Sequence, residues 1–189
     1  MHEITGIMES VGCTVVDAGI IGPPPRKGAK QRFYVSGPNA HLMQRINCPQ
    51  IIVKLAGDKI GDASAVKMCY AALTKGSIAL GTELLVAARK LGVDAALEAE
   101  FKASQAELYE SVLSRSAGMP FKAYRWVPEM NEIAKTFEGT GLTPKIFQGA
   151  SDLYAQIAGT PQGKESPEDA RAKGRKGTEV INDLADTIK

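Results

Sequence analysis

The chain has 189 residues, 44 % of them hydrophobic and 23 % charged, with a formal net charge of +2. That is enough for one large domain or two small ones with a real core, and mixed-sign charge without a basic stripe interleaved with aromatics leaves nucleic acid no footprint. Only His2 and His41 are present, so a zinc site or a Ser-His-Asp relay has almost nothing to build on.

Ile4, Ile7, Met8 and Val11 open the chain at helical spacing. Cys13 to Ile21 reads as a first strand, Gln31 to Ser36 as a second, Asn39 to Ile46 as a short helix and Gln50 to Leu55 as a third strand. A three-strand layer with one or two helices cannot cover both its faces. Either another chain completes it, or partner strands that would normally precede residue 1 are missing.

From residue 61 to 92 the pattern is one long helix, apolar around most of its circumference and expected to be largely buried. Its charges between Ala63 and Ala88 are Lys67, Lys75 and Glu83. A buried ammonium is costly, so Lys67 needs a reason. An ion pair or a snorkelling stem is one; acid/base catalysis by a desolvated amine is the other. Gly76 and Gly81 each weaken the helix by roughly 1 kcal/mol, and with Ala71, Ala72 and Ala79 they form a small-residue surface for another helix, from this chain or from a second subunit.

Gly92 closes that helix and Asp94 is placed to cap the next, while Ser104 with Glu107 fits a capping box. Pro128 suits the first turn of a helix whose stripe is Met130, Ile133, Ala134 and Phe137, ending at Gly139. Thr143 and Pro144 open another, with Ile146, Phe147, Ala150, Leu153, Tyr154 and Ile157 on one face. Residues 160 to 177 read as a flexible connector with a helical start at Ser166 and Pro167, followed by a docking helix bearing Val180, Ile181, Leu184 and Ile188.

Cys13, Cys48 and Cys69 form no CxxC pair, and their apolar surroundings suit reduced, buried thiols. A cytoplasmic location is the default. The longest apolar run, residues 77 to 88, is broken by Gly81, Thr82 and Glu83, so no membrane partner is expected. No GxGxxG or GxxxxGK occurs, so neither a dinucleotide nor a nucleoside triphosphate has its usual phosphate cradle. The strand-end run Val16-Asp17-Ala18-Gly19-Ile20-Ile21-Gly22-Pro23-Pro24-Pro25 is a rigid turn that presents shape and few amides. Arg26, Lys27, Lys30 and Arg32 after it suit a solvated loop or an anionic substrate.

The strand-end "VDAGIIGPPP", with "GDKIGDASAVKMCYAALTKG" some forty residues on and an all-helical remainder, resembles the β-hydroxyacid dehydrogenases, the superfamily of 3-hydroxyisobutyrate and 6-phosphogluconate dehydrogenases. The likeness covers nearly the whole chain and is strongest to the branch whose helical C-terminal domain is uncharacterised. It implies an α+β, mostly α fold. Residues 1–60 would be a partial α/β layer of about three strands, the end of a Rossmann-type domain, and residues 61–189 an all-helical substrate and dimerisation domain with one long central helix. The family's GxGxxG strand and helix would precede residue 1, so a C-terminal fragment is expected, binding no cofactor itself and inactive alone, with NAD or NADP in the complete enzyme.

The resemblance further implies that Lys67 is the acid/base for hydride transfer at a hydroxyl-bearing carbon. Gly22 falls on a glycine of the substrate turn, whereas Ile21 stands where better-known members carry serine, Pro23 replaces the second glycine, and Ala71 replaces an asparagine one turn after the lysine, with Tyr70 beside it. Arg125, Trp126 and Glu129 lie where a later helix reaches the active site, and Arg125 suits an anionic group. The partners implied are a small hydroxy-acid or related substrate and a second copy of the chain, paired through the helical domain. The other reading of the same residues is a non-catalytic helical dimerisation or ligand-binding module, or a helical protein binding an unrelated small molecule.

Overall fold

The computed structural model of the chain describes residues 2–23 and 28–188, and the fold is α+β, mostly α. The chain divides into two compact units, Met1–Tyr70 and Ala71–Lys189.

The first unit begins with helix α1 (His2–Ser10) and a sheet of three strands, β1 (Asp17–Ile21), β2 (Gln31–Ser36) and β3 (Ile51–Gly57), in the order β1-β2-β3. β1 runs antiparallel to β2, with Asp17 opposite Ser36 and Ile21 opposite Arg32. β2 and β3 are parallel, joined through a 3-10 helix at Ala40–Ile46. Val35, Ala40 and Val53 form the buried centre, with Val16, Phe33, Met43, Ile46 and Ile51 against it. The strand, strand, helix, strand order is the expected one. The first strand is shorter than its apolar run, since residues 13 to 16 have no strand pairing, and the apolar residues of α1 remain exposed, Ile4 by 58 % and Ile7 by 61 %.

The unit ends in the first turns of helix α2 (Asp62–Leu91). Ahead of α2, Gly61 takes φ +107, a conformation open to glycine at little cost. By length and composition alone α2 is apolar enough to cross a membrane, a test that the core helix of a soluble protein also passes, and 44 % of its most apolar stretch is buried. It is therefore not the buried helix that its composition suggests. Ala71, Ala72, Ala79, Leu85, Val86 and Ala88 are packed, while Leu73, Leu80 and Leu91 are more than 70 % exposed.

The second unit holds the rest of α2 followed by α3 (Asp94–Ser104), α4 (Ala106–Ala117), α5 (Ala123–Glu138), α6 (Lys145–Gly159), α7 (Pro167–Lys173) and α8 (Gly177–Thr187). A β-carbon on Gly76 would touch Phe147, and one on Gly81 would collide with Val112. The small-residue surface of α2 thus admits α6 and α4 of the same chain. Trp126 and Tyr154 meet edge to face at 5.1 Å where α5 packs on α6, Phe137 and Phe147 at 4.6 Å.

Several local expectations are corrected. Ser104 ends α3 and donates to the Glu100 carbonyl, so it forms no capping box with Glu107. Asp94 is the first residue of α3 and receives Arg89 at 2.8 Å, with Val93 in the cap position. Pro128 lies inside α5, which begins five residues earlier because the 3-10 helix Pro120–Lys122 runs directly into it. Ile146 is 68 % exposed although the rest of its stripe is buried. The connector after Thr160 is ordered: Gln162 and Gly163 are buried in a 3-10 turn, Ser166 caps α7 by accepting the Asp169 amide, and Val180, Ile181 and Leu184 bury one face of α8. The three cysteines are all exposed, not buried.

Candidate functional site

The start of α2 is organised by a carboxylate in the sheet. Asp17, the first residue of β1, is 1 % exposed. Its Oδ2 accepts the amides of Gly61 and Ser64, each at 3.0 Å, and the Ser36 hydroxyl at 3.1 Å; its Oδ1 accepts the Ser64 hydroxyl at 2.6 Å. The Ser36 hydroxyl oxygen in turn accepts the Ala63 amide at 2.9 Å. The first turn of a helix leaves amides without helical partners, and here side chains of β1 and β2 supply the acceptors. Burial pushes the Asp17 carboxyl up, but the hydrogen bonds from Ser64, Ser36 and Gly61 outweigh it and hold the group below the usual carboxylate range. Sequence reasoning passed over this role, although a strand-initial Asp with Ser64 in the first turn of the helix was a readable signal.

That anchor fixes where Lys67 stands. One turn after Ala63, Lys67 rises from α2 beside β1, and a β-carbon on Gly19 would come within 2.8 Å of the Ala63 carbonyl oxygen and 3.0 Å of the Lys67 β-carbon. Only glycine allows so close a helix. Lys67 itself is half-buried rather than enclosed, so the premise that its charge must be desolvated does not hold. It forms no ion pair or hydrogen bond with any described residue.

Gly22 follows β1 with φ +153, and a β-carbon there would meet the Lys30 carbonyl oxygen at 3.1 Å. The Pro23 carbonyl accepts the Gln31 side-chain amide at 3.0 Å. The turn is thereby tied to the start of β2. The rest of the proline run, Pro24 and Pro25, and the basic residues Arg26 and Lys27 lie outside the described residues. Ile21, at the position of a family serine, is 6 % exposed and part of the core. Tyr70 lies one turn beyond Lys67 and is half exposed.

In the second unit Arg125 is exposed on α5. Glu129, one turn further, pairs with Lys75 at 2.5 Å, and the Lys75 ammonium lies 5.7 Å from the Trp126 ring centroid. Glu129 thus already has a cationic partner on α2. The Tyr154 hydroxyl donates to the Lys75 carbonyl at 2.6 Å, and burial pushes that phenol well above its ordinary range. This cluster packs α5 and α6 on α2. Among the described residues no group of three or more His, Cys, Asp or Glu could hold a metal.

Residues 88–157 match the family model of a domain of unknown function, DUF1932. The chain is 28 % identical over 143 residues to an uncharacterized 28.5 kDa protein in the 7S RNA 5' region of Methanothermus fervidus, a match covering 75 % of this chain and 56 % of that protein. It shares its fold with a conserved hypothetical protein of Sinorhizobium meliloti 1021, at TM-score 0.72 and 24 % identity, over 91 % of this chain and 57 % of that one. It is also similar to the conserved protein MTH1747, of unknown function, whose structure is described as similar to 3-hydroxyacid dehydrogenases; the TM-score is 0.62 and the identity 29 %, over 85 % of this chain and 58 % of that one. The chain thus spans little more than half the length of the proteins it matches. Residues 88–157 thus match a DUF1932 domain, and the chain is similar in fold to MTH1747, a protein whose own structure is described as resembling 3-hydroxyacid dehydrogenases.

Proposed function

We propose that the chain is the substrate-binding and dimerisation part of an NAD(P)-dependent hydroxyacid dehydrogenase, with Lys67 as its acid/base. The observation that carries this is the placement of Lys67: a lysine without an ion-pair partner among the described residues, held beside the middle of β1 by the Asp17 anchor and the Gly19 contact. As base its amine takes the proton from a substrate hydroxyl when that carbon is oxidised, and as acid its ammonium returns the proton in the reverse direction. Gly22 and Pro23 shape the substrate turn, and Tyr70 stands one turn past the lysine. Arg125 is the exposed cation available to an acidic substrate; Glu129 contributes by holding Lys75.

This chain's own residues do not fit a dinucleotide. β1 and β2 are antiparallel, and the parallel step from β2 to β3 passes through a 3-10 helix without a glycine-rich phosphate turn. The nicotinamide cofactor is thus assigned to a domain of a longer protein. Calorimetry with NADH and NADPH tests this directly: no binding at millimolar cofactor is expected, and micromolar binding overturns it. In a full-length protein, Lys67→Ala is expected to lower hydroxyacid-dependent reduction of NAD or NADP by about 10²–10⁴-fold; unchanged turnover would remove Lys67 from the chemistry.

The homodimer rests on the exposed residues of α2. Leu80 and Leu84 border an apolar cleft of about 170 Å³ with Phe101, Leu108 and Val112, and exposed apolar surface of this kind marks association sites. Sedimentation of the wild type as a dimer and of Leu80→Glu as a monomer is the expected pair of results. The same face also supports the second reading, a non-catalytic dimerisation or ligand-binding module, which Ile21 and Ala71 favour by offering no polar group where the family has one. Exposed thiols at three positions suit a reducing cytoplasm.

A further inference from the structure

The helical unit gathers three cations, Lys122, Arg125 and Arg171, that no carboxylate among the described residues pairs with. The 3-10 helix Pro120–Lys122 leads into α5 and sets Lys122 one turn before Arg125. The Lys122 ammonium lies 4.9 Å from the Phe121 ring centroid, and the Arg171 guanidinium carbon lies 5.9 Å from the same ring. α7 therefore delivers its arginine to the start of α5. The Lys122 stem is half-buried, and its ammonium reaches back over the preceding turn, 3.5 Å from where a β-carbon on Gly118 would stand.

Other cations of this unit have carboxylate partners, Lys75 with Glu129, Arg89 with Asp94, Lys102 with Glu98, and both Lys173 and Arg175 with Glu165, while cations such as Arg115 and Lys145 stand apart without one among the described residues. Lys122, Arg125 and Arg171 form no ion pair with any described residue. Burial, then repulsion from Arg171 and Arg125, pushes the Lys122 ammonium below the usual lysine range. The like charges of Arg125 on α5 and Arg171 on α7 repel the half-buried Lys122 of the 3-10 helix, and an anion between them would relieve that repulsion.

We infer that Lys122, Arg125 and Arg171 form a site for a phosphate dianion, either inorganic phosphate or the phosphate of a small monoester. Two guanidiniums offer planar forks that match phosphate oxygens, and the lysine adds a point charge. Three positive charges suit a dianion better than a single carboxylate. Arg125, which is also the cation available to an acidic substrate, is the one residue this site shares with the Lys67 reading; Lys122 and Arg171 have no part in it, so failure of the site would leave that reading untouched.

The test is a calorimetric titration of the full chain with inorganic phosphate, and separately with glycerol 3-phosphate, at constant ionic strength set by chloride. Saturable binding is expected, weakened about tenfold or more in Lys122→Gln and in Arg171→Gln, and unchanged in Lys102→Gln, whose partner is Glu98. Tighter binding of the ester assigns an organic phosphate; tighter binding of the free ion assigns inorganic phosphate. Arg171 is exposed, so Arg171→Gln remains informative if Lys122→Gln does not fold. In phosphate-free buffer Arg171→Gln should melt no lower than the parent, because it relieves repulsion. No saturation by about 10 mM phosphate, equal binding by the variants, or a lower melting temperature of Arg171→Gln without phosphate would each overturn the assignment.

Discussion

Asp17 and Ser64 are 47 positions apart in the chain and joined twice, through the Ser64 hydroxyl at 2.6 Å and its amide at 3.0 Å. A buried carboxylate at the start of a strand thus caps the helix that carries the candidate acid/base. Asp17→Asn keeps the shape but removes the charge and one acceptor: its NH₂ either faces the Gly61 and Ser64 amides, which only donate, or requires the Ser64 hydroxyl to turn round. The expected loss is about 2–4 kcal/mol in urea unfolding, since hydrogen bonds to charged groups are worth more than neutral ones and unmatched buried donors add a penalty.

The same pair has a pH signature. The Asp17 carboxyl is held below its ordinary value of 3.8, so the folded state binds its proton less readily than the unfolded chain. Its stabilisation is therefore complete above the ordinary value and lost as pH falls through the lowered one. The stability gap between wild type and Asp17→Asn should be constant from pH 7 to about 5 and narrow in more acid solution. A gap that widened on acidification would contradict the capping role.

Gly19 is expected to tolerate no side chain. Gly19→Ala places a methyl 2.8 Å from the Ala63 carbonyl, a backbone atom that cannot turn away, and should cost about 1–3 kcal/mol. Gly149, inside α6 with nothing within 4 Å of its added β-carbon, is the matched contrast. There alanine removes a helix-weakening residue and should add about 1 kcal/mol. Thermal unfolding of the two variants measures both signs.

Thr82 and Ser116 bring their hydroxyls within 3.0 Å in full burial between α2 and α4. Thr82→Val strands the Ser116 hydroxyl and should destabilise by about 1–3 kcal/mol. Adding Ser116→Ala should recover part of that loss, because neither side then buries an unmatched polar atom. A double-mutant cycle with no coupling would mean that the pair does not act as a unit.

Glu165 joins Lys173 at 2.6 Å and takes both terminal nitrogens of Arg175, at 2.5 and 2.8 Å, tying the turn before α7 to the entry of α8. The Arg175 hydrogen bonds first, then Lys173, bring its carboxyl from 4.5 down to about 2. This contribution is present above pH 4.5 and disappears as pH falls toward 2. Because Lys173 is half exposed and the cluster lies at the surface, Glu165→Gln should cost only about 1 kcal/mol at neutral pH. The difference from wild type should shrink in acid, as read by chemical unfolding.

The elements that were legible in the sequence are those whose signal is local. The bounds of α2 follow from Gly61 and Gly92 on either side of an apolar run, and the start of α7 follows from Ser166 and Pro167, because capping and φ restriction act within a turn. The stripe Met130, Ile133 and Ala134 was readable for the same reason, although the start of α5 was not. There Pro120 opens a 3-10 turn that runs on into the helix, and Pro128 is accommodated inside it.

The candidate site was readable in part. Lys67, Gly22 and Pro23 stood out by motif, but the grounds offered for Lys67, enclosure in an apolar helix, did not survive: composition gives the apolarity of a helix without saying how many neighbours cover it. Nothing local marked Lys122 and Arg171, which are 49 positions apart and meet only because α7 returns to the start of α5. Nor did the Glu129 motif position show that Lys75 would claim its carboxylate.

Periodicity, caps and glycine or proline punctuation are properties of neighbours along the chain, and from the sequence they settle the element types, their order and the α+β class. Burial of Asp17, the helix contact at Gly19 and the uncompensated charge around Phe121 depend on distances between residues far apart in sequence. Those distances are set by how strands register and helices pack, because hydrogen bonding, repulsion and close contact act through space and not along the backbone.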